Sequence, residues 1–511
     1  LYATAINQLE LLVRRCADLT ERAFGQINLG LQNQKRWLVA AGTLLLLQVL
    51  LVGTHVAWMD EWQALQIALQ SPTLPALFAN LRYEGHPALW YLLLRLLGLL
   101  LPYMWVLAVA QFMVALAMQA TILFASPFQR FERLLIGGSY FILFEFGTLS
   151  RGMGLGAFLT VAFFAAHWRA LTWLILALLP NVDALFGMIS IVGILITKKD
   201  GRFSWLGAGL WALGSLFAAW TVFPAADVKP TLEVPVPFTG LVHSIVSFGP
   251  LFIPLHTYAG HLKWGGILPW NLSIGSGLIF LAFAFHQTRK TRLHLLLLAG
   301  FIVAVLLFRV FIYPLSVRHL ALIPLLLILL KWRELRIGGT LEPLFRMWLL
   351  VIALAGAAVS AISFQRPFDR IPEVADYIAN NGLQDKHWVS YPDSMAAGVF
   401  GILDREAHTL GKGCTQSFLR WDYRNDYQEL NELDAAFKQV SRDYGRYYLV
   451  TSYALERHMT VPLQRIAHFS AGYDGRPYYL YIVAPQLRES NRQPPKCEPV
   501  RIHLSEATLL R

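Results

Sequence analysis

From residue 37 to residue 364 the chain alternates long apolar runs with short charged or proline-containing breaks, and beyond Gln365 the pattern changes. Runs such as "WLVAAGTLLLLQVLLVGTHVAW" (37–58) and "LHLLLLAGFIVAVLLFRVFIY" (293–313) match the roughly 20 residues that cross a bilayer core. The first follows 36 polar and amphipathic residues and lacks a small-residue cleavage site behind it, so it reads as a span and not as a cleavable leader. Residues 1–36 themselves predict an amphipathic helix, with Ile6, Leu9, Leu12, Val13 and Leu19 set against Arg14, Arg15, Glu21 and Arg22. Such a helix lies in the cytoplasmic interface of a membrane; an ordinary solvated helix is the alternative.

The breaks carry the topology. "FQRFER" (128–133), "HWR" (167–169), "KKDGR" (198–202), "HQTRKTR" (286–292) and "KWRELR" (331–336) are rich in Lys and Arg, which marks cytoplasmic loops. Placing all five inside sends residues 59–101, "SRGMG" (150–154), "PNVD" (180–183), the proline-rich segment 223–264 and "YPLSVRH" (313–319) to the other side. Residues 87–124 hold two apolar runs split by Pro102 and Tyr103, yet must cross once. The first run is therefore expected to lie in the outer interface with Arg95 snorkelling, and the second, 103–124, to span. The count is about 11 transmembrane helices, or roughly 12 to 13 if both runs cross.

After Gln365 a helical pattern in "RIPEVADYIANNGLQDKHWVSYPD" gives way to a short strand, and "GRYYLVTSYAL" and "PYYLYIVAP" read as further strands. Residues 365–511 thus form a soluble α/β domain outside the membrane, behind a transmembrane domain over 37–364. The composition agrees: 56% of the 511 residues are hydrophobic and only 15% charged, the balance of a polytopic α-helical membrane protein. The net charge of +11 is dispersed among the loops, which topology explains and nucleic-acid binding does not. Cys16, Cys414 and Cys497 show no metal-ligand spacing. The last two share the outer domain, where a disulfide and two free buried thiols are both open.

Ionisable groups at a membrane boundary are costly unless paired, solvated or used. The outer segments hold Asp60, Glu61, Arg82, Glu84, His86, Arg151, Asp183, Asp227, Glu233, Lys263, Arg318 and His319. Plain roles exist for several. Asp60 and Glu61 suit a helix N-terminus, Arg151 and Arg318 could anchor at the interface, His86 could start a helix, and Asp183 could sit in a turn. Together they suggest chemistry, because a carboxylate takes a proton from a hydroxyl while Arg and His receive a departing phosphate.

The order of apolar span, "DE" at 60–61, an interfacial helix and "YEGHPALWYLLL" (83–94) resembles the GT-C superfamily of membrane glycosyltransferases, in particular the branch of protein O-mannosyltransferases and the lipid A aminoarabinose transferase. "LSRGMGLGAFL" (149–159) and "YPLSVRHLALIPLLLIL" (313–329) resemble later segments of bacterial members. The likeness covers roughly 37–330 and implies a bacterial inner-membrane enzyme with a cytoplasmic N-terminus and a periplasmic C-terminal domain. It implies a polyprenyl-phosphate (undecaprenyl-type) sugar donor, a lipid, glycan or protein acceptor, and inversion at the anomeric carbon. Asp60 becomes the candidate base, and Glu61 its neighbour, orienting the acceptor or a divalent metal. His86 becomes a donor or acceptor contact, and Arg151 and Arg318 the phosphate ligands. Beside what the resemblance implies, Arg82, Glu84, Lys263 and His319 are candidate substrate contacts because they share the outer face. The family's second outer-loop acid has no counterpart at "SRGMG", and Ala88 replaces the second proline of its "GHPP". A transporter or flippase of lipid-linked saccharides, or a non-catalytic subunit of the same fold, are the competing expectations; a transporter would show repeats or broken helices with midplane polar residues.

Overall fold

The computed structural model describes residues 2–228, 246–254, 270–313, 315–422, 424 and 430–497. The described structure is mostly helical, with a C-terminal sheet domain. Five helices among these residues are long and apolar enough to cross a membrane: Gln34–Thr54, Tyr103–Ala125, Trp205–Val222, Arg292–Phe311 and Pro343–Gln365. Each begins where the sequence supplies a start signal or a turn. Asn33 accepts hydrogen bonds from the Lys35 and Arg36 amides at 3.0 and 3.2 Å, and Ser204 accepts one from Gly207 at 3.2 Å, filling amide positions that a helix start leaves empty. Leu38, Val39 and Leu46 on the first of these helices, and Leu206, Leu213 and Leu216 on the third, are exposed. Contiguous apolar surface of that kind belongs in lipid.

Among the described residues the expected eleven crossings are not all present as full-length helices. The other apolar stretches are divided into Leu89–Gly98, Gly152–Ala165, Arg169–Asn181 and Leu272–Thr288. Pro102 ends one run, Pro180 sits in a tight turn, and wider π turns occupy Thr121–Ala125 and Tyr140–Glu145. Breaks strand backbone carbonyls, which lipid cannot satisfy. Three buried glutamines do so here. Gln48 Nε2 donates to the Leu143 and Gly147 carbonyls at 3.2 and 2.9 Å, Gln119 Nε2 to Gly137 at 2.8 Å and Gln111 Nε2 to Phe146 at 2.8 Å. All three glutamines lie within the apolar runs. Gly356 lets helix Pro343–Gln365 lie against the same break, since an added Cβ would collide with the backbone of Gly138 to Tyr140.

The basic loops meet one another. Arg169 Nε donates to the Arg202 carbonyl at 2.9 Å, Arg333 pairs with Asp200, Lys290 with Glu342 at 2.8 Å, and Arg346 with Glu132 at 2.8 Å. The amphipathic helix Tyr2–Leu31 lies near them, with the Arg130 guanidinium on the Leu31 carbonyl at 2.6 Å.

The C-terminal domain holds one six-stranded sheet: β1 (Trp388–Tyr391), β2 (Ala407–Thr409), β3 (Cys414–Gln416), β4 (Tyr447–Thr451), β5 (Leu463–Phe469) and β6 (Tyr478–Val483), in the order β3-β2-β1-β4-β6-β5. β1 runs parallel to β2 and β4, and the remaining pairs are antiparallel. Strand alternation splits β4 between two cores. Tyr447 and Leu449 pack with Phe437 of helix Leu430–Tyr444, while Tyr448 and Val450 belong to the core shared with Trp62 and the membrane helices. Cys414 and Cys497 form a disulfide with Cα atoms 5.0 Å apart, resolving the alternatives left by the sequence.

Candidate functional site

Successive helical residues point about 100° apart, so the acidic pair at the start of helix Met59–Gln70 diverges. Glu61 turns inward and is 0% exposed. Its oxygens accept from the Trp58 amide at 2.8 Å, from His55 Nε2 at 2.8 Å and from the Ser150 amide. It closes a cap and ties that helix to the turn before Gly152–Ala165. Asp60 stays 19% exposed, and its Oδ2 receives Nη1 of both Arg151 and Arg318, the latter at 3.2 Å.

Each arginine comes from a different element. Arg151 is the N-cap of Gly152–Ala165, and Arg318 belongs to the short helix Val317–Leu320. Both guanidiniums lie over the Trp58 ring, 5.8 and 5.5 Å from its centroid, a cation–π platform that fixes their plane. Burial opposes the charge of Asp60, but Arg151 and Arg318, with smaller help from Arg476 and His86, outweigh it and hold the carboxyl below its ordinary range.

Arg151 and Arg318 line a small pocket with His86, Asp183, His319, Trp90 and Tyr91 among its walls. Ala64, Gly152, Met153 and Val182 complete it, giving an apolar side beside a cationic one. The His86 ring donates from Nδ1 to the Glu84 carbonyl at 3.0 Å, since that oxygen only accepts, and turns Nε2 toward Asp183 Oδ2 at 4.0 Å. Burial and then Arg151 lower its pKa, with Asp183 acting in the opposite direction. Asp183 also fills the turn role, its Oδ1 accepting from the Leu185 amide at 2.9 Å. His319 Nδ1 accepts from the Ser316 amide at 3.2 Å.

Other sequence candidates go elsewhere. Arg82 reaches away to the Phe223 carbonyl at 2.8 Å and stacks over the Phe223 ring. Arg95 Nη1 donates to the Ala68 and Ser71 carbonyls at 3.0 and 2.6 Å, finishing helix Met59–Gln70. Asp227 accepts from the Tyr83 hydroxyl at 2.9 Å. Glu84 accepts from Gln63 Nε2 at 2.7 Å, and burial pushes its carboxyl up to about 7. Lys263 and Glu233 lie outside the described residues. Among the described residues no three His, Cys, Asp or Glu side chains gather as metal ligands. Glu61, the family-implied neighbour of a metal, is already saturated by internal donors, so these residues do not fit a metal beside it.

Four contributors escaped the sequence reading. Trp58 stood beside the acidic pair in "WMDEW" and could have been noticed as an arginine platform. Trp90 and Tyr91 sat inside an apolar run. Arg476, from the loop before β6, adds positive potential at Asp60, and no local signal announced it.

No protein-family model, curated protein or solved structure matches this chain.

Proposed function

We propose that this protein is an integral-membrane glycosyltransferase of GT-C-like fold, moving a sugar from a polyprenyl-phosphate donor to a hydroxyl acceptor at the periplasmic face of a bacterial inner membrane. The observation that carries the reading is the pairing of Asp60 with two arginines that line a half-apolar pocket. A cationic wall suits a phosphate and an apolar wall suits the hydrocarbon that carries it. The mutual contacts of the basic loops, away from this pocket, support placing those loops inside and residues 59–101, 150–154 and 313–319 outside.

In the proposed reaction the acceptor oxygen attacks the anomeric carbon opposite the phosphate. A new carbon–oxygen bond forms, the bond to the phosphate oxygen breaks, and the phosphate keeps the electron pair. Asp60 takes the acceptor proton, while Arg151 and Arg318 neutralise the phosphate. Glu61 sets the helix that aims Asp60. The C-terminal domain covers this helix and lends Arg476 to its field. A carrier of lipid-linked saccharides would line a path with polar groups; the buried glutamines Gln48, Gln111 and Gln119 instead give their amide N–H groups to stranded carbonyls.

The test is transfer from a radiolabelled polyprenyl-phosphate sugar by the wild type, Asp60→Asn and Glu61→Gln. Asp60→Asn should lose transfer, and wild-type rates in that variant would sink the base assignment.

A further inference from the structure

The pocket and its carboxylate do not coincide. Arg151 and Arg318 are pocket walls, and Asp60 is not. Yet each arginine commits an Nη1 to the same Asp60 oxygen. Two guanidiniums laid on one aromatic ring and converging on one oxygen make the arrangement that receives a phosphate. Here the position is filled from within the chain.

We propose that Asp60 is the resident internal anion of a phosphate site built by Arg151 and Arg318, and that a phosphate entering the pocket takes over the guanidiniums and releases the Asp60 carboxylate. This deepens the reading above and rests on it only for the identity of the incoming anion. Trp58 lies beneath both guanidiniums, whose central carbons are 5.8 and 5.5 Å from its centroid, so the cations keep a shared support when the short Asp60 side chain rotates away. Without a phosphate, Asp60 neutralises two buried cations that would otherwise be costly. It is also a weak base in that state, because two positive charges favour its ionised form. When the phosphate takes those charges, the proton affinity of Asp60 rises at the moment an acceptor hydroxyl must be deprotonated. Base strength is thereby coupled to donor occupancy.

An internal competitor weakens binding of the ligand it mimics. The full-length protein in lipid nanodiscs is titrated calorimetrically with inorganic phosphate, and separately prepared with and without decaprenyl phosphate in the bilayer. Asp60→Asn should bind the phosphate probe about tenfold or more tightly than wild type, the coupling expected of two sites sharing ligands. Asp183→Asn removes an equal charge from the pocket wall without touching either guanidinium, and should gain less than about threefold. Equal gains in both variants, or no gain in Asp60→Asn, overturn the proposal. A gain with inorganic phosphate assigns free phosphate as an admitted ligand, and a gain with decaprenyl phosphate alone assigns the lipid headgroup; either supports the exchange.

If Asp60→Asn fails to fold, the wild type answers by itself. A hydrophobic carbodiimide labels protonated carboxyls, and mass spectrometry should find Asp60 labelled more when phosphate is bound. Unchanged or reduced labelling overturns the exchange. Absence of sugar transfer by the wild type with these responses intact would sink the transferase reading alone, while wild-type transfer without them would sink the exchange alone.

Discussion

Gln63 and Leu419 bond in both directions: the Gln63 amide nitrogen donates to the Leu419 carbonyl at 2.6 Å, and its oxygen accepts from the Leu419 amide at 2.9 Å. A side chain of the helix that carries Asp60 thus pairs with C-terminal backbone as a neighbouring strand would. Gln66 adds a bond to the Ser417 carbonyl at 2.6 Å, and Arg420 Nε reaches Asn80 at 2.9 Å. Gly398 lies so close to Trp62 that an added Cβ would sit 2.7 Å from the indole, in a backbone conformation with φ of +86°. Gln63→Leu should strand these backbone groups and the Glu84 carboxylate, at about 1–3 kcal/mol for each buried group left unpaired. The expected readout is a lower Tm and faster proteolysis between Gln365 and Ile371, and an unchanged proteolysis rate would show that the domains dock without this contact.

The divided acidic pair predicts divided phenotypes. Glu61→Ala removes the acceptor for the Trp58 and Ser150 amides and should lower unfolding free energy by about 2–5 kcal/mol. Its transfer activity per folded molecule should fall far less than that of Asp60→Asn, and denaturant titration beside the transfer assay separates the folding loss from the aiming loss.

Arg151→Lys keeps the charge and loses the planar fork that both reaches Asp60 and lies on Trp58. Transfer kcat/KM should drop at least about tenfold while the Tm changes little, because a point charge does not reproduce a stacked guanidinium. Wild-type kinetics in this variant would remove Arg151 from the phosphate site.

The C-terminal domain carries a histidine pair that predicts acid sensitivity. His387 Nε2 and His408 Nδ1 lie 3.0 Å apart in rings stacked within 7°. Burial lowers both to about 4, with His387 contributing a smaller part at His408. The unfolded chain takes up protons near pH 6.5 that the folded domain refuses. Stability is therefore full above about pH 6.5 and falls as pH drops toward about 4, by roughly 1–3 kcal/mol per ring. Asp474, raised to about 8 by burial and then by Asp369, has the opposite sign, favouring the folded state as pH falls from about 8. The informative quantity is thus the difference between wild type and His408→Asn: the variant should lose less stability between pH 6.5 and 4, and parallel curves would contradict the pair's role.

The Cys414–Cys497 bond closes a separation of 83 residues. Cys497→Ala, or reduction, should cost about 2–5 kcal/mol, measured as a fall in the C-terminal domain's unfolding transition in reductant.

Much of the architecture was legible one segment at a time. The first span, the span after Pro102, the helix Ile371–Asn380 and the strands β4 and β6 follow from apolar periodicity and punctuation, which are local properties. The breaks inside other apolar runs were not legible, because the glutamines that stabilise them lie far off in sequence: Gln48 serves Gly147, and Gln111 serves Phe146. Hydropathy records that a run prefers lipid and not where its hydrogen-bond ladder fails. The partners of Arg95 were hidden for the same reason, since the Ala68 and Ser71 carbonyls belong to the end of another helix.

The sequence by itself determined that apolar helices dominate, that a separate α/β domain follows Gln365, and that Asp60, His86, Arg151 and Arg318 merit chemical attention. Those conclusions rest on residue type and spacing, which act over a few neighbours. Only the tertiary structure decided that Asp60 and Glu61 part company, that Arg151 and Arg318 share one oxygen over Trp58, and that Arg82 turns away. Each outcome depends on which distant backbone or ring fills the space beside a side chain, and packing, not pattern, sets that.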